Sequence, residues 1–164
     1  MYALIENNAV TKVGELAILF PDTSNPNASF ATEQGALEIV EGEQKDQRFY
    51  WVTFDKYEIT GNVVTRTYVN TPKVLENVTV TPEGSTEPVT TKGLKSQWIA
   101  QAKATANSQL ASTDWMVIRK TERNVDIPAD VVAARAKIIA DCTAKEAAIT
   151  AATSIDELMQ ALST

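Results

Sequence analysis

Residues 108–128 read SQLASTDWMVIRKTERNVDIP. A polar, Ala-rich run closes on Ser112-Thr113-Asp114; then come a tryptophan, the apolar triplet Met116-Val117-Ile118, a charged stretch and a proline at 128. How this stretch divides sets the architecture of the back half of the chain. Asp114-Trp115 reads as the end of one helix and Met116–Arg119 as an extended or short-strand segment. Asp126-Ile127-Pro128 reads as the start of another helix, because proline is tolerated in a first helical turn. On this reading Trp115 sits at a hinge between two helical segments.

The flanks agree with that division. Upstream, after Gly93, residues Leu94, Trp98, Ala102, Ala106 and Leu110 recur at about four-residue spacing. That is a narrow helical stripe, in a stretch whose alanines raise helix propensity. Downstream, Val131, Arg135, Ile138, Cys142 and Ile149 mark one face of a second helix, with Val132 and Ile139 alongside. Ser154-Ile155-Asp156-Glu157 has the form of a capping box. It opens a last helix carrying Ile155, Leu158, Met159 and Leu162.

Before residue 92 the character changes. Val, Thr, Ile, Tyr and Phe are frequent, with turn residues between short runs, and this pattern is β-rich. Tyr2–Glu6 and Ala9–Val13 read as a hairpin, with Asn7-Asn8 supplying positive φ at a two-residue turn. Leu16–Phe20 is a short apolar run stopped by Pro21. Residues 21–29 are a loop by composition, and Ala36–Glu41 is another short strand. The clearest hairpin is YWVTFDKYEIT-GN-VVTRTYVN (50–70), where Gly61-Asn62 signals a type II′ turn. Strict alternation puts Trp51, Thr53, Asp55, Tyr57 and Ile59 on one parity and Tyr50, Val52, Phe54, Lys56 and Glu58 on the other. Both faces of the ribbon then carry aromatics, so one is expected to be covered by a partner or by the helices. Residues 70–93, with three prolines and many threonines, read as an extended linker with one short strand near Asn77 to Thr81. The expected fold class is α+β. A β-rich N-terminal lobe with hairpins spans 1–91, with the Pro/Thr-rich linker at its end, and a helical C-terminal lobe spans 92–164.

Composition narrows the function classes. The chain has 164 residues, 44% of them hydrophobic, enough for one domain or two small lobes. Fifteen Lys and Arg against 21 Asp and Glu give a net charge of -6. That balance argues against binding the phosphate backbone of nucleic acid, which needs a cationic face. No apolar run approaches the about 18 residues of a membrane span, and the opening Met1–Glu6 lacks the basic and apolar regions of a signal peptide. The lone Cys142 makes no intrachain disulfide, which fits a chain made in a reducing cytoplasm. Histidine is absent, removing Ser-His-Asp and Cys-His nucleophiles and nearly all zinc sites. The six glycines form neither a dinucleotide fingerprint nor a P-loop. No cofactor, no metal site and no enzymatic activity are expected.

What remains are surfaces. For Trp115 the simplest reading is a residue packed into the seam between helices beside a capping Asp114. The functional reading is a docking patch made by Trp115 with Trp98 and Met116, with Arg119 and Arg123 nearby, since aromatics, Met and Arg are enriched in interface cores. In the hairpin, Trp51 and Tyr57 are the residues chosen for partner contact or, alternatively, glycan stacking. Asp126 with Asp130, and Asp156 with Glu157, lie near helix N-termini, where acidic residues favour the helix dipole. Glu41-Gly42-Glu43 with Asp46 lacks calcium-loop spacing. Cys142 falls on the buried helix face and reads as a small core residue.

Over residues 108–138, SQLASTDWMVIRKTERNVDIPADVVAARAKI, the chain resembles bacteriophage tail proteins of the tail-assembly-chaperone and tail-fibre-accessory kind. In that family a helix leads into Leu, a Ser/Thr-Asp-Trp triplet, an extended segment and a helix carrying Arg. The matching positions are Leu110, Thr113, Asp114, Trp115 and Arg135. The likeness covers the helical back half, and the opening MYALIENNAV is also similar to the first hairpin of small phage tail proteins. The resemblance implies a tail protein, made in the host cytoplasm and resident in the virion, that docks on tail-fibre or baseplate proteins and links or positions them. The alternatives are a transient tail-fibre assembly chaperone absent from the virion and a small carbohydrate-binding module. A homo-oligomer built on the apolar stripe of the last helices stays open, since periodicity does not separate core from bundle seam.

Overall fold

The computed structural model describes residues 1–163. The chain is α+β and divides into two compact units, Met1–Pro72 and the chain from Lys73 onward. Residues 73–91, expected as the end of the first lobe, are grouped with the helices.

In the first unit, β1 (Tyr2–Glu6) and β2 (Ala9–Gly14) form the expected hairpin. Asn7 and Asn8 turn it with φ of 51° and 61°, a region asparagine tolerates better than most residues. Leu16–Phe20 becomes one helical turn, α1 (Leu16–Leu19). The loop over 21–29 ends at Asn27, whose side chain accepts a 2.9 Å hydrogen bond from the Phe30 N–H and caps α2 (Ala28–Glu33). Leu19, Ala31 and Ala36 are buried together, with Tyr2, Leu4, Leu16 and Phe20 packed on them. Strand β3 (Ala36–Glu41) pairs antiparallel with β1 and parallel with β5 (Val63–Pro72). Strand β4 (Tyr50–Thr60) pairs antiparallel with β5, giving the sheet order β2-β1-β3-β5-β4. The β4–β5 turn is of the expected kind: Gly61 alone has positive φ (58°), and Thr60 faces Val63.

Alternation along β4 breaks once. Phe54 pairs with Tyr68 and Tyr57 with Arg66, so Asp55 and Lys56 together oppose Thr67. This is a β-bulge, and the Thr67 hydroxyl donates to the Lys56 carbonyl at 3.0 Å. The extra residue reverses parity. Tyr57 and Ile59 therefore share a face with Tyr50, Val52 and Phe54, not with Trp51 and Thr53 as strict alternation had it.

The second unit holds the short hairpin β6 (Val78–Val80) and β7 (Val89–Thr91), then α3 (Leu94–Arg123), α4 (Ala129–Ala151) and α5 (Ile155–Ser163). The central correction is α3. It runs unbroken through Asp114 and Trp115, so Met116–Arg119 is helical and Trp115 is inside a helix, not at a hinge. Trp, Val and Ile disfavour a helix by only about 0.7 kcal/mol each or less. The Thr113 hydroxyl finds a partner without leaving the helix, donating to the Leu110 carbonyl at 2.9 Å. The helix stops ten residues after Asp114, at Asn124. Its φ of 54° is left-handed, and its N–H donates to the Lys120 carbonyl at 3.0 Å. Helix α4 follows Pro128 directly, where the sequence placed its start.

The extended segment before β6 closes the other end of α3. The Gly93 N–H donates to the Asn77 side chain at 3.0 Å, Leu94 to the Val74 carbonyl at 3.0 Å and Lys95 to the Leu75 carbonyl at 3.1 Å. These N–H groups lie at the start of the helix, where no intrahelical partner exists. The Lys95 ammonium also bonds the Thr150 carbonyl at 3.0 Å, while Lys103 pairs with Glu146 at 3.0 Å. Contacts that rise along α3 as they fall along α4 define an antiparallel helical hairpin. Leu94, Ala106, Ile149, Ala152, Ile155, Leu158 and Ala161 are buried. The expected capping box forms with one variation. The Glu157 N–H donates to Ser154 Oγ at 3.2 Å, and the Glu157 carboxylate accepts chiefly from Thr153, through its N–H at 2.6 Å and its hydroxyl at 2.8 Å.

Candidate functional site

The site grows from Arg135. This side chain, mostly buried, crosses from α4 to α3. Its Nη1 donates to the Leu110 carbonyl at 2.9 Å and to Thr113 Oγ1 at 2.6 Å, and its Nη2 pairs with Asp114 Oδ1 at 2.9 Å. A guanidinium suits the task because its donors are fixed in a planar fork. Thus Leu110, Thr113 and Asp114, close neighbours on α3, meet Arg135, more than 20 residues further on in α4, at one point between two helices.

The fifth, Trp115, is turned away. Two residues beyond Thr113 is about 200° round an α-helix, and Trp115 is 51% exposed. The Arg119 guanidinium lies over the indole at 4.8 Å from the ring centroid. They are an i,i+4 pair in a cation–π arrangement. Ile118 is exposed beside them. The clasp and the tryptophan are therefore two sides of one helix: the first fixes α3 against α4 and the second faces outward.

Met116 is half-buried. Trp98 is half-buried too, but 17 positions before Trp115 in the same helix, about 25 Å along the axis. It does not share the Trp115 surface. In the first unit the bulge sets Trp51 and Tyr57 on opposite faces of the ribbon, so they form no single stacking platform. Trp51 is 63% exposed. Tyr57 belongs to a cluster on the other face. Its ring is 5.1 Å from that of Phe54, and the Arg66 guanidinium lies 5.5 Å from the rings of both Phe54 and Tyr68. Glu41 pairs with Arg66 at 3.5 Å and accepts from the Tyr68 hydroxyl. That hydrogen bond raises the Tyr68 pKa. The sequence marked the hairpin aromatics, Tyr57 among them, but not Glu41 with Arg66, since Glu41 reaches Arg66 only through the parallel pairing of β3 with β5.

A groove of about 290 Å³ lies between α3 and α4, lined among others by Lys103, Ala106, Leu110, Ile139, Cys142 and Glu146. Burial, then a hydrogen bond to Glu146, pushes the Cys142 thiol pKa up, which disfavours the reactive thiolate. Hydrogen bonding from Lys103 holds the Glu146 carboxyl below its ordinary range. Among the described residues no group of three or more Cys, Asp or Glu is placed to hold a metal, and no helix is long and apolar enough to cross a membrane. Comparison with family models, curated proteins and solved structures found no match to the chain.

Proposed function

We propose that this chain is a bacteriophage tail component that docks on a tail-fibre or baseplate protein through the outward surface of α3 around Trp115, Ile118 and Arg119. The reading rests on the resemblance of residues 108–138 to phage tail proteins. One geometric observation carries it further: the motif residues are divided between an internal clasp and an exposed aromatic. A Trp that served only the fold would sit with Leu110 and Arg135 in the seam. Here the seam is made without it, and about half of the side chain faces solvent beside a stacked arginine. Exposed Trp and Arg on a rigid helix are the residue types that anchor protein interfaces. Docking through them needs no reacting group, in keeping with a non-enzymatic role.

Quantitative mass spectrometry of purified particles of the phage encoding this chain tests the reading. The chain is expected at a fixed stoichiometry to a tail protein, with incorporation lost on Trp115→Ala. Absence from complete particles, with presence during assembly, overturns the resident role in favour of a transient chaperone.

A further inference from the structure

We propose that two copies of this chain pair through the outer edge of β4, running antiparallel about a twofold axis at the Asp55–Lys56 bulge. Strand β4 spans 11 residues and is the last of its sheet, bonded on one side to β5. An edge of that length is a template for another strand. The two-residue turn makes Thr60 and Val63 exchange hydrogen bonds. Alternation along the ladder, carried across the bulge, then directs the backbone groups of Val52, Phe54, Tyr57 and Ile59 away from β5.

A bulge usually guards an edge against pairing. This one is self-complementary. Because the extra residue puts Phe54 and Tyr57 in the same phase and on the same face, a second β4 carrying the same bulge fits in one register. Val52 then faces Ile59 of the second copy, and Phe54 faces Tyr57 of the second copy. At the bulge Asp55 faces Lys56 of the second copy, and symmetry repeats each pair. The Phe54–Tyr57 ring pair already formed within one chain meets its counterpart, and Phe54, 47% exposed alone, becomes covered. Sliding by two residues one way sets Asp55 against Glu58, and the other way against Phe54, so charge selects the register. Aromatic and opposite-charge cross-strand pairs both favour antiparallel association. The proposal uses residues of the first unit alone and does not rest on the tail reading.

Sedimentation equilibrium of the full chain tests this at about 100 µM, where even a micromolar Kd leaves mostly dimer. Twice the chain mass is expected. Lys56→Asp sets like charges at both bulge positions and should weaken association by about tenfold or more, while Asp55→Lys with Lys56→Asp restores it. Ile59→Pro removes an N–H that points away from β5, which an edge strand tolerates. It should leave the circular dichroism spectrum intact and abolish the dimer. A wild-type chain that is monomeric at this concentration overturns the proposal, as does a dimer indifferent to all three variants.

Discussion

The Arg135 guanidinium on α4 stands 2.9 Å from the Asp114 carboxylate on α3, with the Arg135 side chain only 18% exposed. Together with its bonds to the Leu110 carbonyl and the Thr113 hydroxyl, this pair sets the register of the helical hairpin. It also explains why a stretch with the local look of a helix end stays helical.

Removing that guanidinium should therefore loosen the hairpin. Arg135→Ala strips partners from Thr113 and Asp114 and is expected to cost about 1–3 kcal/mol. Arg135→Lys keeps the charge but loses the fork, and recovers only part of it. A urea titration followed by circular dichroism at 222 nm reads both. Unchanged midpoints would mean the clasp adds nothing to stability.

Trp115→Ala separates surface from core. The exposed ring and its stacked Arg119 contribute under about 1 kcal/mol to stability, so the urea midpoint should barely move. Leu158→Ala, at a side chain with 0% exposure, should cost about 2–5 kcal/mol. If the two variants destabilise alike, Trp115 is a packing residue and the docking surface is wrong.

Gly93 has an ordinary φ of -73°, so its requirement is steric. A Cβ there would overlap the backbone carbonyls of Glu76 and Leu75, which belong to the segment that closes the start of α3. Gly93→Ala is expected to cost on the order of 2 kcal/mol and to speed amide exchange at Leu94 and Lys95. Slow, wild-type exchange at those two amides would show that this segment does not close the start of α3.

Acid should weaken the helical unit. Hydrogen bonds from the Thr153 backbone and hydroxyl hold the Glu157 carboxyl below its ordinary range, and hydrogen bonds from Lys120 and Lys103 do the same for Asp126 and Glu146. A carboxylate with a depressed folded pKa contributes stability above its unfolded value. That contribution is lost as pH falls from roughly 4.3, the ordinary glutamate value, through the folded value, because the unfolded chain takes up protons first. The urea midpoint should fall between pH 6 and pH 3, and Glu157→Gln should make the fall shallower. A midpoint that rises on acidification contradicts this.

Much of the fold was legible where local chemistry decides geometry. Asn7-Asn8 and Gly61-Asn62 announced their hairpins because few residues accept positive φ. Pro128 announced the start of α4 and Ser154 that of α5, because each suits a helix N-terminus. The stripe of Leu94, Trp98, Ala102, Ala106 and Leu110 turned inward as its spacing required. The candidate site was legible in part: Trp115, Met116 and Arg119 were marked, and Arg135 was placed on the marked face of the second helix and in the motif, but its bonds to Thr113 and Asp114 were not.

What the amino-acid order determined by itself was thus the set of turns, caps and apolar faces, each governed by a few neighbouring residues. Three matters were decided only in three dimensions. Helix α3 passes through Trp115 because small local propensities yield to Arg135, which arrives from another helix. The ribbon reverses parity because Thr67 satisfies a bulge that no two-residue pattern announces. The Glu41–Arg66–Tyr68 cluster exists because β3 lies parallel to β5. In each case the deciding partner is distant in sequence, and its contribution appears only once the chain has brought it within hydrogen-bonding reach.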